Sequence, residues 1–155
     1  MERPVSGDQP EAIETYVWVD EHDWLRDIHK SPENCSPQFR VPDLLGACVS
    51  IVFSYDDPPG ILFRFLSSKL ILRNPHTKRR QERMWREHYE LLQGLQRSPA
   101  NKYPHPSFSL DQLTTACVAI VKANEADPSR IFVQARLNTA HRNGGASGAT
   151  RRLGA

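Results

Sequence analysis

The sequence predicts a mainly α-helical fold built from two tandem α-β-α-α units, residues 11–73 and 74–142, that share one core. Three observations predict it. The stretch LLGACVSIVFSYDDPPGILF (44–63) returns as LTTACVAIVKANEADPSRIF (113–132). Each copy follows a brief alternating segment, QFRV (38–41) and SFSL (107–110). Around both, apolar residues recur at helical spacing.

The echo extends outward from that core. At an offset of 69, Leu44, Ala47, Cys48, Ile51 and Phe63 meet Leu113, Ala116, Cys117, Ile120 and Phe132, with Phe39 meeting Phe108 and Pro37 meeting Pro106 upstream. Around Tyr103 and Pro104 the offset changes to 67, at which SPEN (31–34) meets SPAN (98–101) and Trp18 meets Trp85.

Each unit is expected to open with a helix, 11–29 and 78–96. The first carries Ile13, Val17, Trp24 and Ile28 on one face; the second carries Met84, Leu91 and Leu95, with Glu82 and Arg86 spaced for an i,i+4 pair. In the extended segments, alternation turns Phe39, Val41, Phe108 and Leu110 inward and Gln38, Arg40, Ser107 and Ser109 outward. The following helices repeat the i, i+3, i+4, i+7 pattern, and small Ala and Cys at their centres suit close packing. The last helix of each unit starts after a turn, capped by Asp127 ahead of Pro128 and, in the first unit, within DDPPG (56–60). KLILRNPHTK (69–78) joins the units. Residues 1–10 read as a flexible N-terminus, and NGGASGATRRLGA (143–155) as a disordered basic tail.

The net charge of +2 conceals an asymmetry. Residues 1–66 hold five basic and twelve acidic side chains, net −7, whereas residues 67–155 hold fifteen and six, net +9. This offers a basic face to an anionic partner and an acidic half to a protein partner. No apolar run approaches the roughly 20 residues that span a bilayer, and the N-terminus is polar and acidic, so a soluble cytoplasmic protein with no membrane partner is expected. Cys35, Cys48 and Cys117 have neither disulfide nor zinc spacing and read as reduced thiols.

The sequence carries no HExxH, no GxSxG and no phosphate-cradling glycine loop, so a non-enzyme without cofactor or small-molecule substrate is expected. His22 and His29 in DEHDWLRDIH lie two helical turns apart, roughly 10 Å, too far to share one ion. No metal site is expected there; the stretch reads as a solvated acidic face.

A short strand with two inward apolar residues, then helix, turn and helix, resembles the ribbon-helix-helix family of DNA-binding proteins, over about residues 37–73 and 106–142. In that family two copies intertwine, their strands pair antiparallel, and the outward side chains of the ribbon enter the major groove. The resemblance implies an intramolecular pseudo-dimer in which QFRV pairs with SFSL. It places base-reading positions on Gln38, Arg40, Ser107 and Ser109, and phosphate contacts on Gly60, Ser129 and Arg130; the basic run Lys78, Arg79, Arg80 and Arg83 would add further phosphate contacts. It also implies a protein that binds double-stranded DNA as a transcriptional repressor or as a plasmid-partition or conjugative-transfer factor, at the bacterial nucleoid or a plasmid.

The chain departs from the family in its added helix before each strand and in having only Arg40 as an outward cation. Two alternatives therefore stand beside it. The extended segments can be leads into the helices of an all-α repeat. The chain can also be a helical adaptor that binds protein or RNA partners through its opposed acidic and basic halves, a role that exposed Trp18 and Trp85 would favour.

Overall fold

Ile13, Thr15 and Val17 alternate with Glu14 and Tyr16, a period of two in β-branched residues, and this stretch is a strand. The computed structural model describes residues 12–35, 37–74, 77–101, 108–125 and 127–154, with the backbone alone for residue 100 and residues 144–154. Its elements are β1 (Ala12–Trp18), α1 (Val19–Lys30), α2 (Val41–Ser54), α3 (Pro58–Ser68), a 3-10 turn (Leu70–Leu72), β2 (Arg79–Trp85), α4 (Arg86–Gln96), a second 3-10 turn (Pro99–Asn101), α5 (Leu110–Asn124) and α6 (Ser129–Gly154). β1 and β2 pair antiparallel, with Ala12 opposite Trp85 and Trp18 opposite Arg79. The fold is mainly helical, six helices around one two-stranded sheet.

The strands lie where the expected opening helices begin, so the order is β-α-α-α and not α-β-α-α. For β1 the β-branched alternation decides the matter. For β2, RRQERMW, no residue is β-branched; its conformation comes from pairing with β1, and Met84 supplies a buried inward side chain. Glu82 and Arg86 consequently do not pair in one helix. Arg86 meets Glu90 instead, at 3.7 Å.

Among the described residues QFRV and SFSL form no ribbon; residues 38–40 and 108–109 are irregular, and Val41 and Leu110 already begin helices. A buried asparagine explains why. Asn34 accepts from the Phe39 N–H (2.8 Å) and donates to the Phe39 carbonyl (2.9 Å), taking both groups that a neighbouring strand would need. Asn101 does the same to Phe108, at 2.9 and 3.0 Å. Each amide also donates to the carbonyl of the preceding helix end, His29 or Gln96.

The core lies between α2 and α5, which pack on each other. Leu44, Leu45, Cys48 and Ile51 of α2, and Leu113, Ala116, Cys117 and Val121 of α5, are buried. Burial raises the Cys48 and Cys117 thiols far above the ordinary thiol range, so neither supplies a thiolate. α2 lies against β2 and α6, whereas α5 lies against β1 and α3.

Between α2, α4 and α6, His88 is 2 % exposed; its Nε2 lies 3.2 Å from Ser50 Oγ and 3.4 Å from Asn138 Nδ2. Gly46 makes room for that ring, since a Cβ there would stand 2.6 Å from His88 Cε1. Burial, with help from the Arg142 charge and against the pull of Asp43, lowers the His88 imidazole to about 4.

α6 runs on to Gly154, through the residues expected as a disordered tail. Extending an established helix orders one residue per added hydrogen bond, so it carries through glycines that would not nucleate it. The flexible N-terminus expected over 1–10 lies outside the described residues. Among the described residues no helix is long and apolar enough to cross a membrane.

Candidate nucleic-acid interface

The ribbon has a buried face and an exposed one. Inward, Thr15, Val17 and Met84 rest on the helices. Outward, Glu14 and Tyr16 of β1 stand beside Arg83 and Gln81 of β2, with Arg79 at the end, all exposed. Lys78 and Arg80 alternate to the other face, opposite Val19 and Val17, and are also exposed at the start of β2. Among the described residues, no carboxylate is paired with either of those two cations.

Two tryptophans fix the ribbon to the helix N-termini. The Trp18 indole N–H donates to Asp111 Oδ2 (3.3 Å), and its ring lies under the Arg79 and Arg73 guanidinium groups at 4.4 and 5.0 Å. The Trp85 indole N–H donates to Asp43 Oδ1 (2.9 Å), under Arg142 at 4.1 Å. Trp18 is buried and Trp85 half-buried, so both hold the fold together and neither stands out as an interface anchor.

Burial alone would raise the Asp111 carboxyl, but hydrogen bonds from Ser109, Arg79 and Trp18 and the Arg79 charge together hold it below the usual carboxylate range. It stays ionised and keeps Arg79 docked, Nε to Oδ2 at 3.0 Å. Arg83 reaches across the strand pair to donate to the Ala12 carbonyl at 2.9 Å. Glu82 opposes burial in the same way as Asp111, through hydrogen bonds from His22 and the Arg83 N–H and the charges of His22 and Arg26.

The base-reading positions expected from the family do not come together on a ribbon. Gln38 is an exposed loop residue. Arg40 precedes α2, its N–H bonded to Asp43 (3.0 Å) and its guanidinium 5.9 Å from the Trp85 ring. Ser109 caps α5 in a reciprocal pair with Gln112, whose Oε1 accepts from the Ser109 N–H at 2.8 Å. Ser107 lies outside the described residues.

The expected phosphate contacts at helix starts are also committed elsewhere. The Gly60 N–H donates to Asp57 (3.2 Å) and the Ser129 N–H to Asp127 (3.1 Å), and a capping carboxylate repels a phosphate at the same place. Arg130 faces Glu125 at 3.5 Å. Lys78, Arg79, Arg80 and Arg83 gather on and beside β2; Arg79 is held by Asp111 and Arg83 by the Ala12 carbonyl, whereas Lys78 and Arg80 pair with no carboxylate among the described residues. The residues missed from sequence are Glu14, Tyr16 and Gln81, although the alternation of Ile13, Thr15 and Val17 held the signal for the first two. Comparison of the chain with family models, with curated proteins and with solved structures gives no match in any of the three.

Proposed function

We propose that the protein is a single-chain pseudo-dimer that binds double-stranded DNA by laying the outward face of the β1–β2 ribbon in the major groove, as a regulatory or accessory factor and not as an enzyme. The register supports the pseudo-dimer. At the offset of 67, Thr15 corresponds to Glu82, and those two residues pair with each other; Ala12 corresponds to Arg79 and Trp18 to Trp85, and the pairs are Ala12 with Trp85 and Trp18 with Arg79. A pairing that maps onto itself when the halves are exchanged is what a two-fold axis through Thr15 and Glu82 would generate. The packing of α2 on β2 and α6, and of α5 on β1 and α3, exchanges in the same way. So do the loops held by Asn34 and Asn101.

One observation carries the DNA reading: Arg79, Gln81 and Arg83 alternate on the exposed face of the ribbon, with Lys78 and Arg80 exposed at the start of the same strand. A two-stranded ribbon fits the major groove, where Arg donates bidentately to guanine and Gln pairs with adenine. Lys78 and Arg80 are suited to phosphates, which position the ribbon without reading sequence. Glu14, directly opposite Arg83, repels phosphate and accepts from the cytosine amino group, which favours base contacts over backbone contacts.

The test is selection of binding sites from random duplexes, followed by titration of variants on the selected site. Arg83→Ala and Gln81→Ala should each weaken the site on the order of tenfold and relax preference at one base pair, while Arg40→Ala leaves it unchanged. Failure to enrich any duplex, or equal losses from Arg40→Ala and Arg83→Ala, contradicts the reading.

A further inference from the structure

The two edges of the ribbon are unlike. The Val19 N–H donates to the Lys78 carbonyl (2.9 Å), which extends the ladder and assigns its hydrogen bonds to the odd-numbered residues of β1. The even-numbered residues therefore turn their N–H and C=O groups toward the free edge. At the ends these groups are used internally: the Ala12 carbonyl accepts from Arg83 (2.9 Å), and the Trp18 N–H donates to Thr115 Oγ1 (3.0 Å). Between them, the backbone groups of Glu14 and Tyr16 meet no partner among the described residues. Alongside lies an open groove of about 540 Å³ bounded by Glu14, Thr15, Tyr16, Arg79, Tyr89, Leu110 and Asp111.

The corresponding edge of β2 is capped at Arg83, while the backbone groups of Gln81 meet no partner among the described residues. His22, which corresponds to Tyr89 at the offset of 67, hydrogen-bonds Glu82 Oε1 at 2.8 Å, and Glu82 Oε2 accepts from the Arg83 N–H at 3.0 Å. A sheet edge is ordinarily capped, charged or covered because its unpaired groups accept another strand. β1 has its ends capped and its middle open, beside a groove with two tyrosines.

We propose that the free edge of β1 takes an extended segment of a partner protein as a third strand, with basic and apolar side chains alternating. The basic side chains lie over Tyr16 and against the Glu14 carboxylate, and the apolar ones enter the groove between Tyr89 and Leu110. The Glu14 and Asp111 carboxylates at the groove attract such a segment, against the Arg79 guanidinium that shares the lining. The inference goes beyond the DNA reading and does not depend on it, since it uses the strand edge; Glu14 and Tyr16 belong to both sites, so the partner strand and a duplex would compete.

The test uses the full chain and a labelled peptide, acetyl-Thr-Lys-Val-Lys-Val-Lys-Thr-amide, followed by fluorescence anisotropy. Two further peptides carry N-methyl groups, one on the valine nitrogens and one on the lysine nitrogens, and a third has Glu in place of Lys. The expected result is saturable binding of the parent peptide, a loss of at least tenfold for one methylated peptide but not for the other, and no binding of the Glu peptide. Glu14→Pro removes an edge N–H that lies outside the ladder, and it should weaken binding at least tenfold with an unchanged circular dichroism spectrum. No binding, equal binding of both methylated peptides, or undiminished binding by a folded Glu14→Pro variant overturns the proposal. So does sedimentation showing a dimer that must dissociate before the peptide binds, because the edge is then filled by a second copy of the chain.

Discussion

Asn34 and Asn101 each satisfy three backbone groups with one amide, and both are almost fully buried. Truncation leaves a buried N–H and two carbonyls unpaired, a penalty that exceeds the modest net value of a hydrogen bond. Asn34→Ala and Asn101→Ala should each lower stability by about 2–4 kcal/mol in urea denaturation, with similar losses at the two sites. His88 gives a second prediction at this scale. Its folded value near 4 lies below the ordinary 6.5, so above that pH the ring is neutral in both states and costs nothing. As pH falls from about 6.5 toward 4, the unfolded chain takes up a proton that the folded chain refuses, and stability drops. Between pH 7 and pH 5 the wild type should lose about 2 kcal/mol more than His88→Gln in paired urea titrations.

The strands and the loops behind α1 and α4 show what a sequence declares and what it conceals. The alternation in β1 was legible, since Ile13, Thr15 and Val17 are β-branched and lie two apart. It was masked because Ile13, Val17, Trp24 and Ile28 also satisfy a helical stripe. β2 carries no comparable signal: four charges in seven residues suit an exposed helix as well as a strand, and only β1 decides between them. SPEN and SPAN were visible as a repeat, but the role of each asparagine as a substitute strand partner depends on how the loop closes. The buried stripes of α2 and α5 were legible, because a core helix is determined by its own periodicity, but their starts were not: Val41 and Leu110, expected in strands, already begin the helices.

At the same scale, each tryptophan pins the ribbon to a helix start through one indole hydrogen bond. Trp18→Phe and Trp85→Phe keep the ring and lose the bond to Asp111 or Asp43. Each should cost about 1 kcal/mol in thermal or urea unfolding, and a much larger loss at one site would show that the two pins are not equivalent.

Across the whole molecule, neither half completes its own core. α2 depends on β2 and α6 from the second half, while α5 depends on β1 and α3 from the first. Residues 1–73 and 74–155 produced separately should each lack cooperative unfolding, and mixing them should restore a single transition in circular dichroism. A first half that melts cooperatively alone would show that the halves are independent domains. The charge asymmetry was legible from composition, and so was the basic run from Lys78 to Arg83; its place on a ribbon face was not, because that depends on two segments some sixty residues apart finding one register.

The central claim, that this face binds duplex DNA, is tested most directly by anisotropy titration of the selected duplex over a range of salt concentrations. Wild-type protein should show a linear fall in log affinity with log salt, with a slope of roughly −2 to −4 for a few neutralised phosphates, and Lys78→Ala should make that slope shallower by about 1. No binding to duplex even at the lowest salt, or a slope unchanged by neutralising Lys78 and Arg80 together, would contradict it.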